Sequence, residues 1–164
     1  SSFKLVNSRL TKKRRKINVW PSGVVERVFP YYLSIQLYKQ STDNNTMVMS
    51  HIAELFIKNG IKECIIYGAG EMGKSLLNMF QLCGIKVHYL VDRNESLWGS
   101  MIEGIEIVSF EQSKKIPCNV YAIASHAFVD EIHQFIKENY IKDKEVKIID
   151  YLDIYKYING VRID

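Results

Sequence analysis

From residue 61 to residue 150, short apolar runs alternate with amphipathic stretches whose apolar residues recur at helical spacing. The apolar runs predict strands, and the amphipathic stretches predict helices. The predicted strands are 64–67, 87–91, 105–108, 120–125 and 146–149, and the predicted helices are 72–83, 110–115, 127–140 and 151–158. Strands that alternate with helices indicate a parallel sheet with right-handed crossovers. The predicted fold is therefore α/β, with about five parallel strands and flanking helices.

The chain before this unit has a different pattern. Residues 1–41 are basic and aromatic, and the stretch 24–38 is apolar enough to need a surface that it can cover. A polar break at 41–46 precedes a predicted helix from Thr46 to Asn59, which Gly60 ends. We therefore divide the chain into an N-terminal extension (1–41) and a domain (42–164) whose core is 61–150.

A glycine motif follows the first predicted strand directly. Its residues are Gly68, Ala69, Gly70, Glu71, Met72 and Gly73. Gly68 permits a tight turn, Gly70 lets the backbone approach a phosphate, and Gly73 lets the helix lie close to the strand. The unpaired amides at the start of that helix favour an anion. The next predicted strand ends at Asp92, whose carboxylate can accept hydrogen bonds from a ribose. This order of elements predicts a Rossmann-like nucleotide-binding domain.

The same residues also satisfy a second motif. Gly68 to Ser75 matches the phosphate loop of nucleotide triphosphatases, in which Lys74 would contact the β- and γ-phosphates and Ser75 would hold magnesium. The continuation from Gly84 to Asp92 favours the dinucleotide pattern instead. In addition, only 89 residues follow Ser75, which is short for a triphosphatase core.

Further candidates come from the rule that ligands of parallel α/β sheets lie beyond the carboxyl ends of the strands. That rule selects Asp92 with Arg93, and Ser125 with His126. Asp92 favours the free ribose hydroxyl of NAD, whereas Arg93 can pair with the 2′-phosphate of NADP. Ser125 and His126 either contact a phosphate, ribose or substrate, or cap the following helix. The catalytic residues remain unassigned, because His126 has no identifiable partner as a general base.

Charge is distributed unevenly along the chain. Residues 1–40 hold nine Lys or Arg and one acid, whereas the remainder holds 13 basic and 17 acidic residues. The run at 12–16 is the most basic segment, and such a run can lie near an anionic membrane surface. A role in nucleic-acid binding is disfavoured. No apolar run reaches the roughly 20 residues that cross a bilayer. We expect a cytoplasmic protein, placed at the inner face of the membrane if the basic run binds it.

The spacing of the cysteines and histidines indicates no disulfide pair and no metal site. Cys64, Cys83 and Cys118 form no CxxC pair, and they are interpreted as free thiols in a reducing compartment. His88 and His133 lie within predicted elements and have no ligand spacing, so the sequence predicts no metal site.

Two segments, 67–73 and 92–109, together resemble a small Rossmann domain of bacterial surface-polysaccharide biosynthesis enzymes. Such domains occur beside nucleotide-sugar dehydratases, in sialic-acid-type acetyltransferases, and appended to glycosyltransferases and methyltransferases. The resemblance implies NAD(P) or a nucleotide-sugar at Gly68–Gly73, a role in cell-envelope glycan synthesis, and a catalytic domain or protein partner. Two alternatives stay open. One is a small NAD(P)-dependent oxidoreductase or epimerase completed by oligomerisation, and the other is a vestigial docking or regulatory domain.

Overall fold

The computed structural model describes residues 35, 36, 38–40, 42–140 and 145–150. The basic run at 12–16, most of the aromatic stretch 24–38 and the predicted helix at 151–158 lie outside these residues. The helices are α1 (Asn44–Lys58), α2 (Glu71–Leu82), α3 (Phe110–Ser113) and α4 (Val129–Asn139). The strands are β1 (Glu63–Tyr67), β2 (Lys86–Val91), β3 (Met101–Ile102), β4 (Ile105–Val108), β5 (Val120–Ile123) and β6 (Lys147–Ile149).

The strands form one sheet in the order β3-β4-β2-β1-β5-β6. All neighbouring pairs are parallel except β3 with β4, which is antiparallel. Counted without β3, the five parallel strands have the order 3-2-1-4-5 of a doubly wound nucleotide-binding fold. The chain moves outward from β1 to β2 and β4, and it then crosses back to β5 on the other side of β1 and continues to β6. The carboxyl end of β1 is therefore the topological switch point, where ligands of this fold bind. The predicted fold class is confirmed.

The helices cover the sheet on both faces, because right-handed crossovers that travel in opposite directions place their helices on opposite sides. On one face α1 packs on α2, with the rings of Phe56 and Phe80 4.7 Å apart. On the other face α3 meets α4, with the rings of Phe110 and Phe135 5.3 Å apart. Strand β1 lies between these layers and is buried from its second residue to its last. In the part of the chain that the structure describes, no helix combines the length and the apolar character that crossing a membrane requires.

Helix α1 begins and ends with the residue types that the sequence predicts. The carboxylate of Asp43 accepts a 3.2 Å hydrogen bond from the Thr46 amide and so caps the first turn. At the other end Gly60 has φ +70°, and the amide of Ile61 donates to the Phe56 carbonyl at 2.9 Å. This is a Schellman ending. The predicted helix is confirmed, although it starts two residues earlier, at Asn44.

A buried ion-pair cluster joins α1 to the helical residues that precede it. Glu54 is 3% exposed. Its carboxylate lies 2.8 Å from Nζ of Lys39 and 2.8 Å from Nζ of Lys58, and it also accepts a 3.3 Å hydrogen bond from Gln36. Residues 36 and 39 are thereby attached to the domain, although the sequence assigns them to the N-terminal extension.

The antiparallel strand β3 is an element that the sequence did not predict. It forms a tight hairpin with β4 in which Glu103 (φ +48°) and Gly104 (φ +80°) both have left-handed backbone conformations. Two consecutive left-handed residues are characteristic of a two-residue hairpin turn. The hairpin rests on α2, because Gln81 donates a 3.2 Å hydrogen bond to the Glu103 carbonyl.

Candidate functional site

The fold itself requires two of the three motif glycines. Gly68 has φ +124°, and a Cβ placed there would lie 2.6 Å from the carbonyl oxygen of Ala124, which follows β5. A Cβ on Gly73 would lie 1.9 Å from the carbonyl oxygen of Gly68. No side chain fits at either position without a backbone shift. These glycines therefore bring α2 close to the end of β1, as the sequence predicts.

Gly70 is different, because neither its conformation nor its surroundings require glycine. Its φ is −84°, which any residue can adopt, and a Cβ placed there would meet no atom of the described residues within 4 Å. Gly70 is also the N-cap of α2 and offers no side-chain acceptor to the first amides of the helix. Those amides lie at the positive end of the helix and can donate to an anion. The space beside Gly70 is thus open to a group that approaches the backbone.

The same geometry argues against the phosphate-loop alternative. Only three residues separate the end of β1 from the start of helix α2 at Glu71. The amide of Lys74 already donates a 3.0 Å hydrogen bond to the Gly70 carbonyl within the helix. A triphosphate loop needs backbone amides that wrap the phosphates ahead of the lysine and the serine. This short turn provides no such loop, so the dinucleotide interpretation fits the structure better.

Asp92 lies at the end of β2, as predicted, and its carboxylate holds two backbone segments together. Oδ2 accepts a 3.0 Å hydrogen bond from the amide of Ala69, and Oδ1 accepts a 2.9 Å hydrogen bond from the amide of Asn94. The first contact ties the glycine turn to β2, and it is not predictable from the sequence. Each carboxylate oxygen has a second lone pair, so both can still accept a ribose hydroxyl.

Arg93 points toward the start of α4. Its Nη1 lies 2.7 Å from Oε1 of Glu131, and its guanidinium lies 5.3 Å from the centre of the Phe128 ring. Arg93 follows β2 and Phe128 follows β5, and β1 lies between those strands in the sheet. The contact therefore spans the carboxyl end of β1. Both side chains of the ion pair are largely exposed, so its contribution to stability is small.

Ser125 and His126 lie at the same edge of the sheet. The hydroxyl oxygen of Ser125 accepts a 3.2 Å hydrogen bond from the amide of Phe128, just before α4. This contact supports the helix-cap interpretation of Ser125. His126 is exposed at the same edge, so contact with a ligand remains a prediction for this residue.

A cavity of about 380 Å³ lies beside the glycine turn. Its lining residues are Ala69, Gly70, Glu71, Lys74, Met101, Ile102 and Glu103. The first four belong to the turn and the start of α2, and the last three belong to the β3–β4 hairpin. This volume falls within the usual range for small-molecule sites, about 300–1,000 Å³. Three predicted site residues thus line the cavity, whereas Met72 packs against the hydrophobic core instead. The hairpin residues that line the cavity were not among the predicted site residues, because the sequence did not predict β3.

The three cysteines are buried free thiols. Burial raises the pKa of each of them, and it raises the pKa of Cys83 to about 12. Because the thiolate is the reactive form, these cysteines are poor nucleophiles at neutral pH. The expectation of free thiols is confirmed.

The strand order, the glycine turn and the adjoining cavity define a Rossmann-like α/β domain with an open site at its switch point. The sequence profile described as "C2185-like, N-terminal" matches residues 60–149, more than half of the chain. The chain therefore belongs to this family. No curated protein matches the sequence.

Two solved structures are similar to this chain at low sequence identity. UDP-D-quinovosamine 4-dehydrogenase from Vibrio fischeri is 19% identical with a TM-score of 0.45, and the match covers 60% of this chain and 84% of that one. RSP, a Rex-family repressor, is 12% identical with a TM-score of 0.44, and the match covers 93% of this chain and 88% of that one. The fold of this chain is established by its own strand order and crossovers.

Proposed function

We propose that this domain binds the diphosphate of a nucleotide, either NAD or a nucleotide-sugar, at the glycine turn between β1 and α2. The observation that carries the proposal is the contrast among the glycines. Gly68 and Gly73 are required by close backbone contacts, whereas no contact among the described residues requires glycine at position 70. Approach of a ligand to the backbone accounts for glycine at this position.

The surroundings of Gly70 suit a diphosphate. The first amides of α2 supply donors at the positive end of the helix, and the exposed ammonium of Lys74 lines the adjoining cavity. Asp92 lies at the carboxyl end of the neighbouring strand, and its remaining lone pairs are placed for ribose hydroxyls. Diphosphate and ribose are common to NAD and to nucleotide-sugars, so this geometry supports both ligands.

The contacts of Arg93 favour NAD over NADP. A 2′-phosphate would have to draw the guanidinium away from Glu131, whose carboxylate lies 2.7 Å away, and from the Phe128 ring. The carboxylate of Asp92 would also repel that phosphate. The domain is therefore proposed to prefer an unphosphorylated ribose.

The wider role proposed is in bacterial cell-surface glycan synthesis, beside a catalytic domain. Support comes from the segment 92–109, on which the resemblance to surface-polysaccharide enzymes depends. Here part of that segment folds into the β3–β4 hairpin that lines the cavity. In this proposal the domain supplies binding, and the chemistry belongs to its partner.

A thermal-shift titration of the chain with NADH, NADPH, UDP-sugars and Mg-ATP tests the proposal. A ligand at about 100 times its dissociation constant stabilises a fold by about 2.7 kcal/mol, which gives a clear shift. We expect stabilisation by NADH or by a UDP-sugar. Stabilisation by ATP only with magnesium, or no shift with any of these ligands, would contradict it. Turnover of a stabilising ligand by the isolated chain would instead support the small oxidoreductase or epimerase.

A further inference from the structure

Three potential metal ligands meet at the edge of the sheet opposite the glycine turn. Glu63 is the first residue of β1, His88 lies in β2, and Cys118 lies two residues before β5. One ligand atom from each residue lies within 4.8 Å of the other two. This cluster is not predictable from the sequence, because its members come from three separate segments and have no ligand spacing.

The imidazole of His88 carries an independent sign of a missing ligand. Its Nε2 is completely buried, and it has no hydrogen-bond partner among the described residues. Nε2 lies 3.4 Å from Oε2 of Glu63, but this contact does not have the geometry of a hydrogen bond. An unsatisfied buried polar atom costs about 1–3 kcal/mol. A group that accepts the lone pair of Nε2 would remove that cost.

We propose that Glu63, His88 and Cys118 bind one divalent transition-metal ion of the zinc class. Carboxylate, imidazole and thiolate are all zinc donors, whereas calcium and magnesium prefer oxygen ligands alone. With bonds of about 2.0–2.3 Å, the ligand atoms of a tetrahedral zinc site are about 3.3–3.6 Å apart. The observed 3.4 Å between His88 and Glu63 already falls in this range.

Closing the site requires only a small movement of the segment that carries Cys118. Its sulfur makes one weak contact, 4.0 Å from the carbonyl oxygen of Val120. The Glu63 side chain is 52% exposed, so water can take the fourth coordination position. Three protein ligands and one water complete a tetrahedral shell.

Binding must release one proton. The Cys118 thiol loses its proton to solvent as sulfur bonds to the metal, while His88 binds as a neutral imidazole through Nε2 and keeps its proton on Nδ1. Glu63 binds as the carboxylate. Because this proton must leave, the affinity for metal should increase with pH.

The ion would link β1, β2 and the segment that enters β5 at their amino-terminal ends. The glycine turn lies at the carboxyl ends of the same strands. The metal site is therefore independent of the proposed nucleotide site, and its predicted role is to stabilise the fold.

Titration of the chelator-treated full chain with Zn(II), and with Co(II) as a spectroscopic probe, tests the proposal. We expect one equivalent to bind, a thiolate-to-cobalt charge-transfer band, and a higher melting temperature. Glu63→Gln and Cys118→Ser should each weaken binding at least about tenfold, since even outer-shell partners of metal ligands are worth about 10–100-fold. Cys118→Ser should also abolish the charge-transfer band.

The matched controls are Cys83→Ser and His133→Gln, which remove a thiol and an imidazole outside the cluster. Both should bind zinc as the parent chain does. Glu63 is exposed enough for its variant to retain the fold, which circular dichroism will verify. The proposal is overturned if the parent chain binds no zinc, if the cobalt complex shows no thiolate band, or if Glu63→Gln and Cys118→Ser bind zinc as tightly as the controls do.

Discussion

The carboxylate of Asp92, at the end of β2, accepts a 3.0 Å hydrogen bond from the backbone amide of Ala69, in the turn after β1. These residues are 23 positions apart in the chain, and both belong to the proposed nucleotide site. The residue expected to hold the ribose thus also holds the turn that is expected to hold the diphosphate. Loss of this contact should loosen the turn even without a ligand.

We expect Asp92→Asn to destabilise the domain by about 1–3 kcal/mol. Two backbone amides donate hydrogen bonds to the carboxylate, and in the variant one of them would face an NH₂ group instead of an oxygen. Urea denaturation measures this loss. Glu106→Gln makes the same chemical change at an exposed position of β4 and should have an effect within about 0.5 kcal/mol. Equal stability of the two variants would show that the Asp92 contact contributes nothing.

Gly70 and Gly73 should differ widely in their tolerance of alanine. Gly73→Ala would place a Cβ 1.9 Å from a backbone oxygen and should cost about 3 kcal/mol or more. Gly70→Ala adds a Cβ in open space at a permissive φ, and the lower entropy of its unfolded chain offsets the preference of the N-cap for glycine, so stability should change by less than about 1 kcal/mol. Thermal unfolding of the two variants distinguishes these outcomes. A large loss of stability in Gly70→Ala would mean that the fold itself requires this glycine.

Acidification should weaken the packing of residues 36 and 39 on α1. Burial alone raises the pKa of Glu54, but the hydrogen bonds from Lys39 and Lys58 outweigh it and hold that pKa below 4.5. A carboxyl whose pKa is lowered by folding stabilises the fold above its unfolded-state pKa, and it loses this contribution as pH falls through the folded-state pKa. We expect the free energy of unfolding to fall below about pH 4.5, and to fall less steeply in Glu54→Gln.

His51 provides the control for this measurement. Burial, helped by the charge of Lys39, lowers the pKa of its imidazole below 6.5. The unfolded chain therefore takes up this proton more readily, and stability also falls with acidification, but from a higher pH. His51→Gln should change the pH dependence that begins as pH falls below 6.5, whereas Glu54→Gln should change only the part below 4.5. If Glu54→Gln left the fall in the free energy of unfolding below pH 4.5 unchanged, Glu54 would not be its cause.

The ion pair between Arg93 and Glu131 should affect the choice of nucleotide. Glu131→Gln would free the guanidinium to meet a 2′-phosphate, so the affinity for NADPH should rise relative to NADH. The expected change is at most about fivefold, because an exposed ion pair is worth only about 0.2–1 kcal/mol. Calorimetric titration with both dinucleotides measures the ratio. Glu138→Gln, on the same helix, is the matched control and should leave it unchanged.

The sequence was sufficient to predict the elements that repeat a local pattern. The strand, turn and helix from Glu63 to Leu82, the strand that ends before Asp92, and the glycine that stops each of α1 and α2 all depend on neighbours in the chain. Strand β3 was not predictable in this way. It has only two residues, and the Glu103-Gly104 turn lacks the asparagine or aspartate that usually marks such a hairpin.

The contacts that join distant segments were not predictable either. The hydrogen bond from Ala69 to Asp92, and the ion pair between Arg93 and Glu131, depend on which strands lie side by side. The same holds for the meeting of Glu63, His88 and Cys118. Periodicity specifies the face on which a residue lies, but it does not specify the residue that faces it across the sheet.

The most direct test of the nucleotide proposal is the dissociation constant of the tightest-binding nucleotide for the parent chain and for Gly70→Glu. The substitution places bulk and negative charge in the open space beside the first amides of α2, and the fold should tolerate it. Asn78→Glu adds the same charge at an exposed position farther along α2 and serves as the control. We predict that Gly70→Glu weakens binding at least tenfold, about 1.4 kcal/mol, while Asn78→Glu does not. Equal affinities in Gly70→Glu and the parent chain would contradict the proposal that the nucleotide binds at this turn.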